Sequence, residues 1–296
     1  MAGWGLAAGL GVGAFAYARR VVKQRRERLA LRLANQNLCV LVRSEDGLGR
    51  DLAARLVHSG MAVHWVDGGK LSTPDGARVV RAAVDGLEYD LAIVSCSWAR
   101  LGQTLSELAT LEDTPTLVIS RSVGDRSVVM TASGRSSLLV GVPGATDTGA
   151  GAHRYGFTLG ELDGARSQRL RLAQRILERA GLEARRSRGV DVVLRRQSLL
   201  ALVEALCQLE ARRDEAQVGT VRALARAQNA ARPDAERLIR RAGWPYPDWA
   251  QLAARRWQAW APMGPDEVRQ LMTELEDMAE TSRTPIPVLA DLGNAL

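Results

Sequence analysis

The sequence predicts an α/β fold, a doubly wound parallel sheet domain followed by an all-helical C-terminal domain. Three observations carry this expectation. From Leu38 onward, short runs of aliphatic and β-branched residues alternate with amphipathic stretches, the pattern of strands joined by helical crossovers. The strand runs are apolar throughout, as expected when both faces of a sheet are covered. Beyond residue 164 the runs give way to longer segments entered by Pro or Asp, which are helix-start signals.

In order, LCVLV (38–42) is the first strand. RDLAARLVHSG (50–60) is the first helix, with Leu52, Leu56 and Val57 at helical spacing and Gly60 as its stop. MAVHWV (61–66) is the second strand and runs into Asp67. ARVVRAAVDG (77–86) reads as a short helix. YDLAIVSC (89–96) and PTLVIS (115–120) are further strands around a helix at TLSELATL (104–111), and SVVMTA (127–132) and SLLVGV (137–142) extend the sheet. The glycine excess of 142–164 predicts a loose connection. Helices are then expected over Ala165–Ala180, Val190–Arg213, Pro233–Ala242, Asp248–Trp260, Pro265–Ser282 and Pro287–Leu296. WPYPDW (244–249), Trp257 and Trp260 are expected to pack the helical core.

Composition narrows the function classes. The chain has 296 residues, 46% hydrophobic and 25% charged, as in a globular protein with room for two cores. Cys39, Cys96 and Cys207 are far apart, as are His58, His64 and His153, so no metal-ligand spacing or disulfide framework is present. Of the net charge of +7, the run Arg19–Arg32 supplies +6, with seven basic residues against Glu27. The remainder carries only +1, so nucleic-acid binding is not expected.

Ala2–Ala18 has no charged residue over 17 positions, about the minimum for a membrane-spanning helix. The basic residues behind it would keep the rest of the chain in the cytoplasm, tethered to the inner face of the cell membrane. Its Gly and Ala content makes insertion marginal, so a non-inserted leader is the alternative reading. A signal peptide fits less well, because no basic residues precede the apolar run. Gly5, Gly9 and Gly13 stand four apart, a spacing that suits helix contact in lipid.

The stretch RSEDGLGRDLA (43–53) joins the first strand to the first helix, the place where dinucleotide-binding domains seat a pyrophosphate on a helix N-terminus. Aligned on its last glycine, a G-x-G-x-x-G pattern falls on Ser44, Asp46 and Gly49, so Ser44, Gly47, Leu48 and Gly49 are the candidate cofactor-binding residues. Asp46 is the departure. At about 4 Å, in an effective dielectric near 20, its carboxylate would repel a phosphate charge by about 4 kcal/mol. Asp67, 18 residues beyond Gly49, is placed for an adenosine ribose and would favour NAD over NADP. The alternative is that Asp46 is a helix N-cap and Asp67 opens a loop. These readings divide the chain into a leader (1–36), a dinucleotide-binding-type, Rossmann-like domain (37–164) and a helical domain (165–296).

The turn, the Gly-rich link, the helix VDVVLRRQSLLALVEAL (190–206) and the ending EDMAETSRTPIPVL (276–289) follow one another in an order that resembles ketopantoate reductase (2-dehydropantoate 2-reductase) over Leu38–Leu296. The resemblance implies NAD or NADP on the glycine turn and a small ketone or 2-ketoacid between the domains. It also implies a general-acid lysine on the long helix, with a glutamate and an asparagine holding substrate. The glutamate falls on Glu267, twenty residues before Pro287; the other reading of Glu267 is a first-turn acid favoured by the helix dipole. The asparagine's place holds Arg121. A strand-end lysine is replaced by Cys96 or Ser97, with Trp98 retained. The general acid's place reads LRRQSLL (194–200), and the chain's two lysines, Lys23 and Lys70, both lie outside the helical domain. Arg195 or Arg196 can bind a carboxylate there, but a guanidinium with pKa above about 12 delivers no proton at neutral pH.

Two functions therefore stand as expectations. One is a divergent NAD(P)-dependent oxidoreductase acting on a small ketone or 2-ketoacid, with Glu267, Tyr155 or water as proton donor. The other is a non-catalytic relative serving as a membrane-tethered binding or scaffolding module. The candidate partners are a ketoacid or nucleotide, a membrane through residues 2–32, and a second copy in a homodimer.

Overall fold

The computed structural model describes residues 38–67, 72–84, 87–96, 98–108, 111, 113–119, 138–146, 154–197, 199, 220–241 and 265–294. The apolar leader, the basic run, Lys70, Arg121, the strand expected over 127–132, and the tryptophan-rich 244–260 lie outside the described residues. Among the described residues, no helix is long and apolar enough to cross a membrane.

The first part of the chain runs β1 (Cys39–Ser44), α1 (Gly47–His58), β2 (Ala62–Asp67), β3 (Arg78–Val80), β4 (Leu91–Ser95), α2 (Trp98–Glu107) and β5 (Thr116–Ile119). It continues with β6 (Leu138–Thr146), β7 (Arg154–Gly160), α3 (Gln168–Arg179) and β8 (Glu183–Arg186). All eight strands form one sheet in the order β3-β2-β1-β4-β5-β6-β7-β8. Strands β1 to β6 run parallel to one another. From β1 the chain builds outward to β2 and β3, then returns to lay β4 on the other side of β1, so its direction of growth reverses between β1 and β4.

Each face of the sheet has its own apolar layer, as a doubly wound fold requires. Val40, Val42, Ile93 and Leu139 point to the side covered by α1 and α3, where Leu52, Leu56, Leu170 and Ile176 are buried. Leu41, Val94, Val118 and Val140 point the other way, onto Leu101 and Leu105 of α2 and Leu108 just after it. Helix α2 thus begins six residues before the expected 104, because Leu101 continues the apolar stripe.

Three further stretches differ from expectation. The stretch 77–86, expected to be a short helix, instead supplies β3 at the sheet edge, where Val79 and Val80 pair with Trp65 and Val66. Three residues are too few to display a period, and pairing with β2 decides their state. The Gly-rich 142–164 is largely strand: β6 and β7 pair antiparallel from Val140↔Gly160 to Thr146↔Arg154, making the sheet mixed. One of its glycines, Gly160, serves close packing. A Cβ on Gly160 would lie 2.5 Å from Val190 Cβ and 2.7 Å from the Ser187 carbonyl oxygen. Ala165–Ala180, expected to open the helical domain, packs on the sheet as α3, and β8 joins the sheet parallel to β7.

The helices that follow are α4 (190–197), α5 (Thr220–Arg241), α6 (Pro265–Thr281) and α7 (Pro287–Asn294). Helix α5 starts well before Pro233, the expected entry point, and holds that proline inside it. The last three helices share a core of Ala231, Leu238, Ile239, Val268, Met272, Leu275 and Leu289. Asp234, 1% exposed, ties this unit together. Its carboxylate accepts the backbone N–H groups of Val288 (2.8 Å) and Leu289 (3.1 Å) and pairs with Arg237. One side chain of α5 therefore satisfies the otherwise unpaired N-terminal donors of α7.

Candidate functional site

The crevice outside the carboxyl ends of β1 and β4, where the sheet reverses direction, is where open α/β sheets bind ligands. In register, Ser44 at the end of β1 stands between Asp67 at the end of β2 and Ser95 at the end of β4. Ser44, Gly47, Leu48, Gly49 and Asp67 are thus brought to one end of the sheet.

The turn at this crevice is organised around Asp46. Its extended backbone (φ −125°, ψ 162°) makes it the N-cap of α1, and its carboxylate accepts the Gly49 N–H at 2.8 Å. The Ser95 hydroxyl lies 2.9 and 2.8 Å from the two carboxylate oxygens. The Ser44 hydroxyl contacts the Asp46 carbonyl oxygen at 3.1 Å and accepts the Asp46 N–H at 3.2 Å. The Glu45 N–H donates to the Ser95 carbonyl at 3.0 Å, stitching the turn to β4. Asp46 is only 6% exposed. The N-cap reading of Asp46 therefore holds, with a second layer of hydroxyl support that its sequence position did not reveal.

Gly49 keeps one role of a dinucleotide-turn glycine, the close packing of helix on strand. A Cβ there would come within 2.5 Å of Ser44 Cβ and 3.0 Å of Ser95 Cβ. Leu48 is buried in the α1 layer, while Gly47 is exposed.

Beside the turn, on the α2 side, lies a charged cluster. Glu45 pairs with Arg100 at 2.9 Å and stands 3.6 Å from Arg43, which is itself 3.6 Å from Glu107. Arg43 is 7% exposed and follows the apolar run 39–42 of β1. Its place in LCVLVRS is the sequence signal that could have marked the cluster, whereas Arg100 and Glu107 carry no such signal.

The remaining candidates are dispersed. Glu267 is in the first turn of α6 and Tyr155 in β7; the side chains of both, like that of Asp67, fall outside the described residues. Trp98 opens α2, and Cys96, half-buried, follows β4. On α4, Arg195 pairs with Asp191 at 3.3 Å. Burial lowers the Arg196 guanidinium from its ordinary value, yet arginine remains a cation and no lysine stands on the described part of this helix. Toward the β3 edge, buried His64 contacts the Tyr89 hydroxyl at 2.9 Å, ring edge to face. Burial, then the charge of Arg78, lowers the His64 pKa, while burial raises that of Tyr89. Among the described residues, no group of three or more His, Cys, Asp or Glu is placed to hold a metal ion.

No family model and no curated protein matches the sequence. Solved structures with a similar fold were found. One is a protein of Ralstonia solanacearum MolK2 assigned to the ketopantoate reductases, with a TM-score of 0.61 and 18% identity over 88% of this chain and 96% of that one. The 2-dehydropantoate 2-reductase of Methylococcus capsulatus has a TM-score of 0.60 and 15% identity over 87% of this chain and 95% of its own. D-mandelate dehydrogenase, solved with NADH and anilino(oxo)acetate, has a TM-score of 0.59 and 13% identity over 87% and 96%. At these identities the likeness establishes a shared fold: a Rossmann-like, mostly parallel sheet with helices after it.

Proposed function

We propose that this chain is a non-catalytic relative of the ketopantoate reductase fold, a binding or scaffolding module whose dinucleotide turn is organised around its own side chains. The observation carrying this reading is the Asp46 carboxylate, buried on the Gly49 N–H and bracketed by the hydroxyls of Ser44 and Ser95. Such proteins place a phosphate on the first helix N-terminus. Here that position already holds a carboxylate, which engages the Gly49 N–H. A phosphate about 4 Å away would meet repulsion of about 4 kcal/mol, some three orders of magnitude in affinity. The turn does not fit NAD or NADP. The arginines at the general-acid position of α4 agree with this, since neither can supply the proton that reduction of a ketone consumes.

The second reading is an NAD(P)-dependent oxidoreductase acting on a small ketone or 2-ketoacid, and the fold favours it, since D-mandelate dehydrogenase has been solved with NADH. The two readings part in one measurement. Full-length protein titrated with NADH and with NADPH should show no saturable rise in melting temperature, because only a ligand that binds the folded state stabilises it. A saturable rise with either nucleotide would overturn the proposal. Asp46→Gly is the informative variant: if the turn retains any phosphate site, nucleotide affinity rises once the carboxylate is gone.

A further inference from the structure

Residues 165–188 carry eight arginines against Glu178 and Glu183, a net +6 within 24 residues. With the +6 of Arg19–Arg32, this leaves −5 for everything else in a chain of net +7. The near-neutral body is therefore strongly polarised.

Folding gathers these arginines at one edge of the sheet. Helix α3 buries Leu170, Leu172, Ala173, Ile176 and Leu177 and leaves Arg171 and Arg175 exposed, with Arg179 four residues further on. Strand β8, at the sheet edge, exposes Arg186, and Arg188 follows. Exposed Arg166 precedes α3 on a loop that touches the Arg188 loop, since a Cβ on Gly164 would lie 2.9 Å from the Arg188 carbonyl oxygen. Two arginines have acid partners, Arg169 with Glu161 and Arg185 with Glu183. Glu178, the acid of α3, accepts from Gln174 at 2.7 Å. Arg171, Arg175 and Arg179 are spaced four apart, where like charges repel and weaken a helix. A local rule broken without compensation inside the fold points to a function outside it.

We propose that this α3/β8 face docks on an anionic lipid surface. Helix α3 lies flat on the sheet with five buried residues, and a flat face suits a bilayer better than a nucleic-acid groove, which takes a protruding helix. No aromatic residue occurs in 165–188 to stack on an unpaired base. The same chain carries an uncharged Ala2–Ala18 followed by seven basic residues. Stable membrane attachment generally takes two signals, and a basic folded face adds to a weak apolar one. The proposal is independent of whether the crevice takes a nucleotide.

The test is co-flotation of full-length protein with phosphatidylcholine vesicles, with and without phosphatidylglycerol. Wild type should float with the phosphatidylglycerol vesicles and lose them as salt is raised. Arg171→Glu with Arg175→Glu should lower this partitioning by about tenfold or more. Arg226→Glu with Arg283→Glu makes the same change in net charge at exposed positions of the helical unit and should change it less than about twofold. If the glutamate pair disturbs folding, the Arg171→Gln and Arg175→Gln pair removes the charges and should still give a severalfold loss. Equal losses for the two glutamate pairs, no flotation of wild type, or tighter binding to duplex DNA than to vesicles would each overturn the proposal.

Discussion

The Ser95 hydroxyl lies within 2.9 Å of both carboxylate oxygens of Asp46, 49 residues away in the chain. A side chain at the end of β4 thereby holds the cap of α1 across the point where the sheet reverses. Ser95→Ala would leave a buried carboxylate short of a donor, and a hydrogen bond to a charged group contributes about 1.5–3 kcal/mol. Urea unfolding should show a loss of that size. An unchanged midpoint would mean that Asp46 is held without help from Ser95.

Gly49 faces the same cluster from the helix. Gly49→Ala should cost about 1–3 kcal/mol through overpacking, because the new methyl would meet Ser44 Cβ at 2.5 Å. Ser44→Gly in that background removes the two nearest obstructing atoms, leaving Ser95 Cβ at 3.0 Å, and should recover part of the loss. Additive losses would show that the strain lies in the backbone rather than in this pair.

In the helical unit, Asp234 links α5 to the N-terminus of α7 through the amides of Val288 and Leu289. Asp234→Ala should lower stability by about 2–3 kcal/mol, combining a lost cap with a lost charged hydrogen bond. Hydrogen exchange at Val288 and Leu289 should accelerate more than exchange in β1. A uniform acceleration would show that the residue stabilises the whole chain rather than this joint.

His64 gives the fold a pH dependence. Its folded pKa is lowered by burial and by Arg78, so the unfolded chain binds the proton more readily than the folded one. The stabilisation is therefore complete above about pH 6.5, the ordinary histidine value, and is lost as pH falls below it toward the depressed folded value. His64→Gln should flatten the decline in urea midpoint between about pH 7 and 5. A variant with the slope of wild type would assign the decline to other groups.

The strands of the sheet's parallel half, though not their order, were legible because β1, β2, β4 and β5 are apolar runs bounded by turn residues, and burial on both faces demands that composition. The hairpin β6–β7 was not. Its glycines read as a flexible link, although Gly160 is small because Val190 presses against it, a constraint set by a residue 30 positions away. The same limit applies at the site. Asp46 as an N-cap follows from its position ahead of a helix, a local relationship. Its partner Ser95, and the pairing of Glu45 with Arg100, depend on β4 and α2 folding back beside β1. The basic edge was hidden by a total: a net charge near zero for the body concealed the clustering of its arginines in one crossover.

Val190 and Leu194 are buried in the layer beneath the sheet, and Leu199, one turn further, is buried in the core of the helical unit. The segment acts as a shared rib, so neither core can melt without stripping packing from the other. Heating should therefore give one cooperative loss of structure in place of two separable steps, and a change at Leu194 would be felt in α7 without touching it.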